Sequence, residues 1–322
     1  MRFRVIAVCL LLSVGMTAAC TNQDAPQSVS GDITARTTAP GANGTSSASS
    51  PAVINHSGQP LTLTPPSVPT LSWNIATGAL AGRSATYVAV STDRSLAFLW
   101  LNPAMLRFRF IPGYLFPEGG PVKSADRNST TWVRNLAAAF NGAFKLRDHV
   151  GGYYYRGVMV RAMRPGLASL VVDSSGRLSV ITWGKELNTV HGLEVVRQNM
   201  RPLVANYVSQ TSPQDSNSAW GWVDHNRHVS NRSSLGELAD GSLIYVYGHA
   251  VTSAQMGAAM VLVHAQTAIM LDMNITQPAG FVYRRASGQA VGQPILPTIP
   301  NPATVYSHAG HDKDFIVANL IS

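Results

Sequence analysis

Residues 241–274 read GSLIYVYGHAVTSAQMGAAMVLVHAQTAIMLDMN, and the change of pattern along them decides the fold class expected of the chain. GSLIYVYG (241–248) is rich in β-branched and aromatic residues between glycines and predicts a strand. TSAQMGAAMVLVHA (252–265) opens on Thr252 or Ser253 as a cap and predicts a helix. AIMLDMN (268–274) is a second apolar strand that delivers Asp272 and Asn274 at its end. Two strands joined by one helix form a βαβ unit, whose strands are normally parallel with a right-handed crossover. In open sheets of that kind ligands gather beyond the carboxyl ends of the strands, which is where Asp272 and Asn274 are expected.

Working outward, ATYVAVS (85–91), RSLAFLWLN (94–102) and the alternating LRFRFIPG (106–113) predict strands. SLVVDSSGRLSVITWG (169–184) predicts a hairpin with Ser-Ser-Gly at its tip. STTWVRNLAAAF (129–140) has Ser129 to Thr131 as caps before an alanine run and predicts a helix merging into a buried segment. The expected fold is therefore α+β: a mixed β-sheet with packed helices, including the late βαβ unit, preceded by a disordered linker.

The totals agree with a substantial core, since 45% of the 322 residues are hydrophobic and only 12% charged. The net charge of +8 comes from 24 Lys and Arg against 16 acids, with the arginines spread thinly from Arg83 to Arg285 and not in a polybasic block. With no zinc-finger or RNP motif beside it, this basicity gives no nucleic-acid partner and suits anionic polymers or lipid headgroups. Both cysteines, Cys9 and Cys20, fall in the first twenty residues, which excludes a disulfide, a thiolate metal site or a cysteine nucleophile from the folded part. No Walker loop, dinucleotide fingerprint, serine elbow or zinc-protease helix is present, and the sequence assigns no cofactor.

The start of the chain, MRFRVIAVCLLLSVGMTAAC, places Arg2 and Arg4 before an apolar stretch and small residues before Cys20, the grammar of a secretory signal over residues 1–19. TAAC (17–20) resembles a bacterial lipobox, in which the cysteine is acylated and becomes the mature N-terminus. From Thr21 to Ser72 there is no aromatic residue and Ser, Thr, Ala, Pro and Gly dominate, which predicts a disordered linker over 20–72 and a folded domain over 73–322. The expected location is extracytoplasmic, on the cell membrane through a lipid on Cys20.

AAFNGAF (138–144), RSSLGELADGSLIYVYG (232–248) and LDMN (271–274) resemble, in order and spacing, the landmarks of the phosphodiester glycosidase family. VRQNMRPLV (196–204) and HDKDFIVA (311–318) are similar to segments of its bacterial branch. The resemblance implies a secreted or lipid-anchored hydrolase cleaving a sugar-1-phosphodiester in an envelope glycan. It implies Asp272 as the carboxylate beside the anomeric carbon, Arg232 as the phosphate partner, and Asn141, Asn274, Gln198 and Asn199 as substrate-binding amides. Many members carry Asp-Gly-Gly and a serine where this chain has Asp272, Met273 and Asn274. That departure motivates the alternative of a non-catalytic envelope module binding a phosphorylated glycan.

Each residue also has a plain structural use. Asp272 caps a turn or pairs with an arginine, Asn141 turns the chain before Gly142, and GGYYYRG (151–157) is either a sugar-stacking surface or a strand. His225 with His228, and His308 with His311 and Asp312, have chelating spacing but no third ligand from another element, so no metal site is expected. His249 and His264 flank the helix as acid/base or end-capping groups.

Overall fold

A computed structural model describes residues 63–80, 83–113, 130–146, 151–216, 218–221, 227–308 and 311–321. Cys20, the leader, the linker up to residue 62, and His225 lie outside the described residues. Residues 63–72, which composition assigns to the linker, pack against the domain, with Val68 and Leu71 buried in a core cluster.

The α+β expectation is overturned: the described residues form three antiparallel sheets, with one α-helix. The first sheet has the order β1 (Asn74–Leu80), β2 (Arg83–Val90), β3 (Leu96–Leu101), β14 (Leu243–Val251), β13 (Ser230–Leu238), β15 (Ala265–Met273), β11 (Val204–Ala205), β12 (Val208–Ser209). The second has the order β17 (Gln289–Pro294), β16 (Gly280–Ala286), β5 (Leu136–Asn141), β18 (Phe315–Leu320), β4 (Leu106–Ile111). The third is β7 (Val158–Arg161), β6 (Tyr153–Tyr155), β10 (Leu193–Gln198), β8 (Ala168–Asp173), β9 (Leu178–Thr182).

The strand, helix and strand of residues 241–274 stand as β14, α1 (Ser253–Leu262) and β15. They do not open a parallel sheet, because β13 lies between the two strands and pairs antiparallel with both. Thr252 caps the helix: its side chain accepts from Gln255 N at 3.1 Å while Gln255 Oε1 accepts from Thr252 N at 2.8 Å, a reciprocal capping box. Met256, Ala259 and Met260 bury the helix against one face of the first sheet.

The alanine run is also corrected. Thr131–Asn135 is a 3₁₀ turn and Leu136–Asn141 a strand, sandwiched between β16 and β18. Ala137, Ala138 and Ala139 are fully buried there, so tertiary pairing overrides the helical preference of alanine. The Asp173–Gly176 hairpin stands as read, with Gly176 at φ +79°. The tyrosine run is strand β6, with Tyr153 and Tyr155 buried against Phe110.

The face of the first sheet opposite the helix carries Leu235, Tyr245, Tyr247, Ile269 and Leu271, the centre of the main core. The second sheet packs there, with Tyr245 stacked on Phe140 at 4.7 Å between centroids. The third sheet packs on the same face further along β13 and β15, through β8 and β9.

Candidate functional site

Asp272 lies one residue before the end of β15 and is only 6% exposed. Its Oδ1 accepts from Met273 N at 2.7 Å, and its Oδ2 pairs with Lys313 Nζ at 3.0 Å. Lys313 stands two residues before β18, and its side chain is 16% exposed, so the pair sits at a rim rather than in the core. A carboxylate at such a depth is costly without a partner, and the ammonium supplies it.

Beneath this pair lies a second one. Asp314 is buried, and its Oδ2 accepts from Arg197 Nε at 3.2 Å. Burial pushes the Asp314 carboxyl up from its ordinary range, and Arg197 and Lys313 oppose that rise. Arg197 comes from β10, donates to the carbonyls of Gln198 and Phe144, and lies over the Tyr153 ring. Gly142 packs against Asp314 so closely that a Cβ would fall 2.6 Å from its Oδ1. The glycine of Asn-Gly is therefore there to admit a carboxylate, and Gly142 N also donates to Asp314 O at 2.9 Å.

Asn141 joins the second sheet to the first. Its Nδ2 donates to Ser233 Oγ and to Gly142 O, both at 2.9 Å, while its Oδ1 accepts from Tyr245 Oη at 2.8 Å and Ala279 N at 3.1 Å. Ser233 Oγ in turn lies 3.3 Å from Asp272 N. Asn199, just past β10, donates to the carbonyls of Met270 and Leu271 on β15. Asn141, Asn199 and Asp272 are thus drawn together where ends of strands from all three sheets meet. The two amides hold the frame around the carboxylate.

Arg232 is not part of this cluster. Strand alternation turns it away from Ser233 to the helix face, where it donates to Val251 O at 3.0 Å, His228 O at 3.1 Å and Met273 Sδ at 3.0 Å. Burial pulls its guanidinium down to about 10. Gln198 is occupied by four partners, Gly152 N, Arg164 N, Arg164 O and Ser169 Oγ, and ties the third sheet to its loops. Asn274 accepts from Thr276 N and Oγ1 and closes a turn.

Of the histidines, His308 is exposed, and His311 packs between Tyr306 and Phe315 with its imidazole pulled down by burial. Among the described residues no group of three or more His, Cys, Asp or Glu is placed to hold a metal ion. Sequence reasoning overlooked Lys313, Asp314 and Arg197. The signals were present: Lys313 is one of the few lysines and stands between Asp312 and Asp314, and Arg197 interrupts an apolar strand.

No protein-family model matches the chain, and no curated protein matches it. Among solved structures it is similar to the catalytic domain of zebrafish N-acetylglucosamine-1-phosphodiester alpha-N-acetylglucosaminidase, at 15% identity and a TM-score of 0.43, over 79% of this chain and 84% of that one. It is similar to a hypothetical protein from Synechocystis at 10% identity and a TM-score of 0.38, over 78% of this chain and 62% of that one. It is also similar to a Burkholderia pseudomallei K96243 protein described as exported, at 14% identity and a TM-score of 0.35, over 74% and 75% of the two chains. These are distant structural similarities.

Proposed function

We propose that the domain is an extracytoplasmic hydrolase that cleaves the anomeric C–O bond of a sugar-1-phosphodiester, with Asp272 as its working carboxylate and Lys313 as the cation for the phosphate. One observation carries this. The three sequence landmarks 138–144, 232–248 and 271–274, far apart in the chain, deliver Asn141, Ser233 and Asp272 to one hydrogen-bonded cluster. The buried Asp272 carboxylate is paired to the Lys313 ammonium, which reaches the rim.

In this reaction the C–O bond to phosphate breaks, both electrons leave with the oxygen of the departing phosphate monoester, and water supplies the new anomeric hydroxyl while its second proton passes to solvent. Positive charge grows on the sugar ring, and a fixed carboxylate stabilises it. Negative charge grows on the phosphate, and an ammonium within 3.0 Å of that carboxylate is positioned to receive it. Lys313 replaces Arg232 in this role, because the Arg232 guanidinium is committed to protein acceptors on the other face.

The test is release of sugar from a chromogenic sugar phosphodiester. Asp272→Asn keeps the Met273 N contact and removes the charge, so turnover is expected to fall by about 10²-fold or more with the thermal transition nearly unchanged. Full activity in Asp272→Asn would end the proposal.

A second reading, a non-catalytic module that binds a phosphorylated glycan, is favoured by the full engagement of both Asp272 oxygens. Glycan phosphate binding without hydrolysis by the wild type, across sugars, would select it.

A further inference from the structure

A cleft of about 530 Å³ opens between the first and third sheets, at the other end of β13 from Ser233. Ser233 and Glu237 are four residues apart on that strand and point to the same face, which separates the cleft from the Asp272 cluster by roughly 13 Å. Its walls include Val171, Ile181, Leu187 and Leu193. The volume is that of an ordinary small-molecule site.

The polar part of the cleft is built on β9, the edge strand of the third sheet. Glu237 Oε2 accepts from Val180 N at 2.7 Å, and Glu186 Oε2 accepts from Thr182 N at 2.9 Å. These two backbone donors are two residues apart, so the carboxylates stand side by side at roughly 7 Å along the edge. The second oxygen of each has no hydrogen-bond partner among the described residues, although Glu237 is 8% exposed and lines the cleft. Asp173, Arg177 and His191 are the other charged or titratable groups lining it. Asp173 is occupied by the hairpin tip, accepting from Ser175 N and Arg177 N, and the Arg177 guanidinium, which has a further interaction of its own, is the one cation among the described residues whose charge reaches Glu237.

We infer that this cleft is a second ligand site, separate from the Asp272 cluster, and that it takes an organic ammonium ion carried on an apolar body. An ammonium donates a charge-assisted hydrogen bond to the free oxygen of Glu237, and Glu186, roughly 7 Å away along the edge, adds its negative charge at longer range. Three carboxylates against one guanidinium disfavour an anion, and an uncharged alcohol leaves the carboxylates unanswered. A bare metal ion finds too few ligands here, since no group of three or more donors is assembled among the described residues. The aliphatic walls account for the rest of the ligand.

Titration calorimetry of the full chain at pH 8 with hexylammonium, hexanol and hexanoate tests this. Hexylammonium is expected to bind with a millimolar dissociation constant, and hexanol and hexanoate at least tenfold more weakly. Glu237→Gln, which keeps an oxygen for Val180 N, is expected to weaken hexylammonium at least tenfold. Glu186→Gln, at an exposed position that keeps an oxygen for Thr182 N, is expected to weaken it by about two- to threefold. Neither change should alter turnover at the Asp272 cluster. Equal binding of hexanoate, no binding of hexylammonium, or hexylammonium binding that neither glutamine variant weakens would overturn the inference.

Discussion

Glu237→Gln should make the protein more stable in alkali and leave it unchanged in acid. Burial pushes the Glu237 carboxyl up from 4.5 to about 7, and Glu186 adds to the rise while the Val180 N–H and Arg177 oppose it. The folded protein therefore keeps a proton that the unfolded chain releases, so stability is fully present below about pH 4.5 and is lost as pH climbs through 7. At roughly 1.4 kcal/mol for each tenfold difference in proton affinity, the ionised state costs the fold about 3 kcal/mol. A glutamine resembles the protonated acid in shape and still accepts from Val180 N, but it never charges. Urea unfolding of wild type and variant at pH 4.5 and pH 8.5 isolates the effect, because every other titrating group is common to both proteins. The variant should gain about 3 kcal/mol at the higher pH, equivalent to about 6–12 °C in Tm for a domain of this size, and nothing at the lower. A wild-type-to-variant difference that stays constant between the two pH values would refute a raised, buried Glu237.

Gly142→Ala places a Cβ 2.6 Å from the Asp314 carboxyl and should cost about 1–3 kcal/mol in thermal unfolding through overpacking. Arg232→Lys should lower stability by about 1–3 kcal/mol through lost bonds to Val251 O and His228 O, while KM for a sugar phosphodiester stays at the wild-type value. A raised KM would return Arg232 to the phosphate. Fatty-acid labelling of cells should mark the wild type and not Cys20→Ser, and equal labelling would refute the lipid anchor.

The strands that were legible in the sequence are those with one wet face or a marked turn. LRFRFI alternates buried and exposed along β4, as its Arg107 and Arg109 require, and the Asp173–Gly176 tip announces its hairpin. What hid the architecture was β13. Its sequence SNRSSLGEL is mostly polar, yet all nine residues are buried, and Asn231, Arg232, Ser233 and Glu237 each bond within the protein. Polarity reads as a loop when the partners are dozens of residues away. Missing β13 left β14 and β15 to be paired directly, and that error made an antiparallel sheet look like an open α/β one. The alanines of β5 misled for the opposite reason: small residues favour helices in isolation, but here they let β5 fit between β16 and β18.

The candidate site was legible only where a residue broke a pattern that the sequence already displayed. Asp272 ends an apolar run, and so it stood out; Asn141 ends another. Asp314 and Lys313 sit before the closing strand, whose importance depends on its register. Phe315 pairs with Asn141 on one side and Ile111 on the other, which sets Asp314 beside Gly142 and brings Lys313 to the end of β15. The distance from Lys313 to Asp272 is therefore fixed by pairings in two different sheets and by the Asn141–Ser233 bond that joins them. A slip of one residue in β18 would turn Asp314 away from Arg197 and carry Lys313 off the carboxylate together. For that reason the fully buried Asp314–Arg197 pair acts as the positioning element for the Asp272–Lys313 pair at the rim above it. Asp314→Asn should then lower turnover of a sugar phosphodiester by about tenfold or more, though Asp314 touches nothing outside the protein, and unchanged turnover would refute its positioning role.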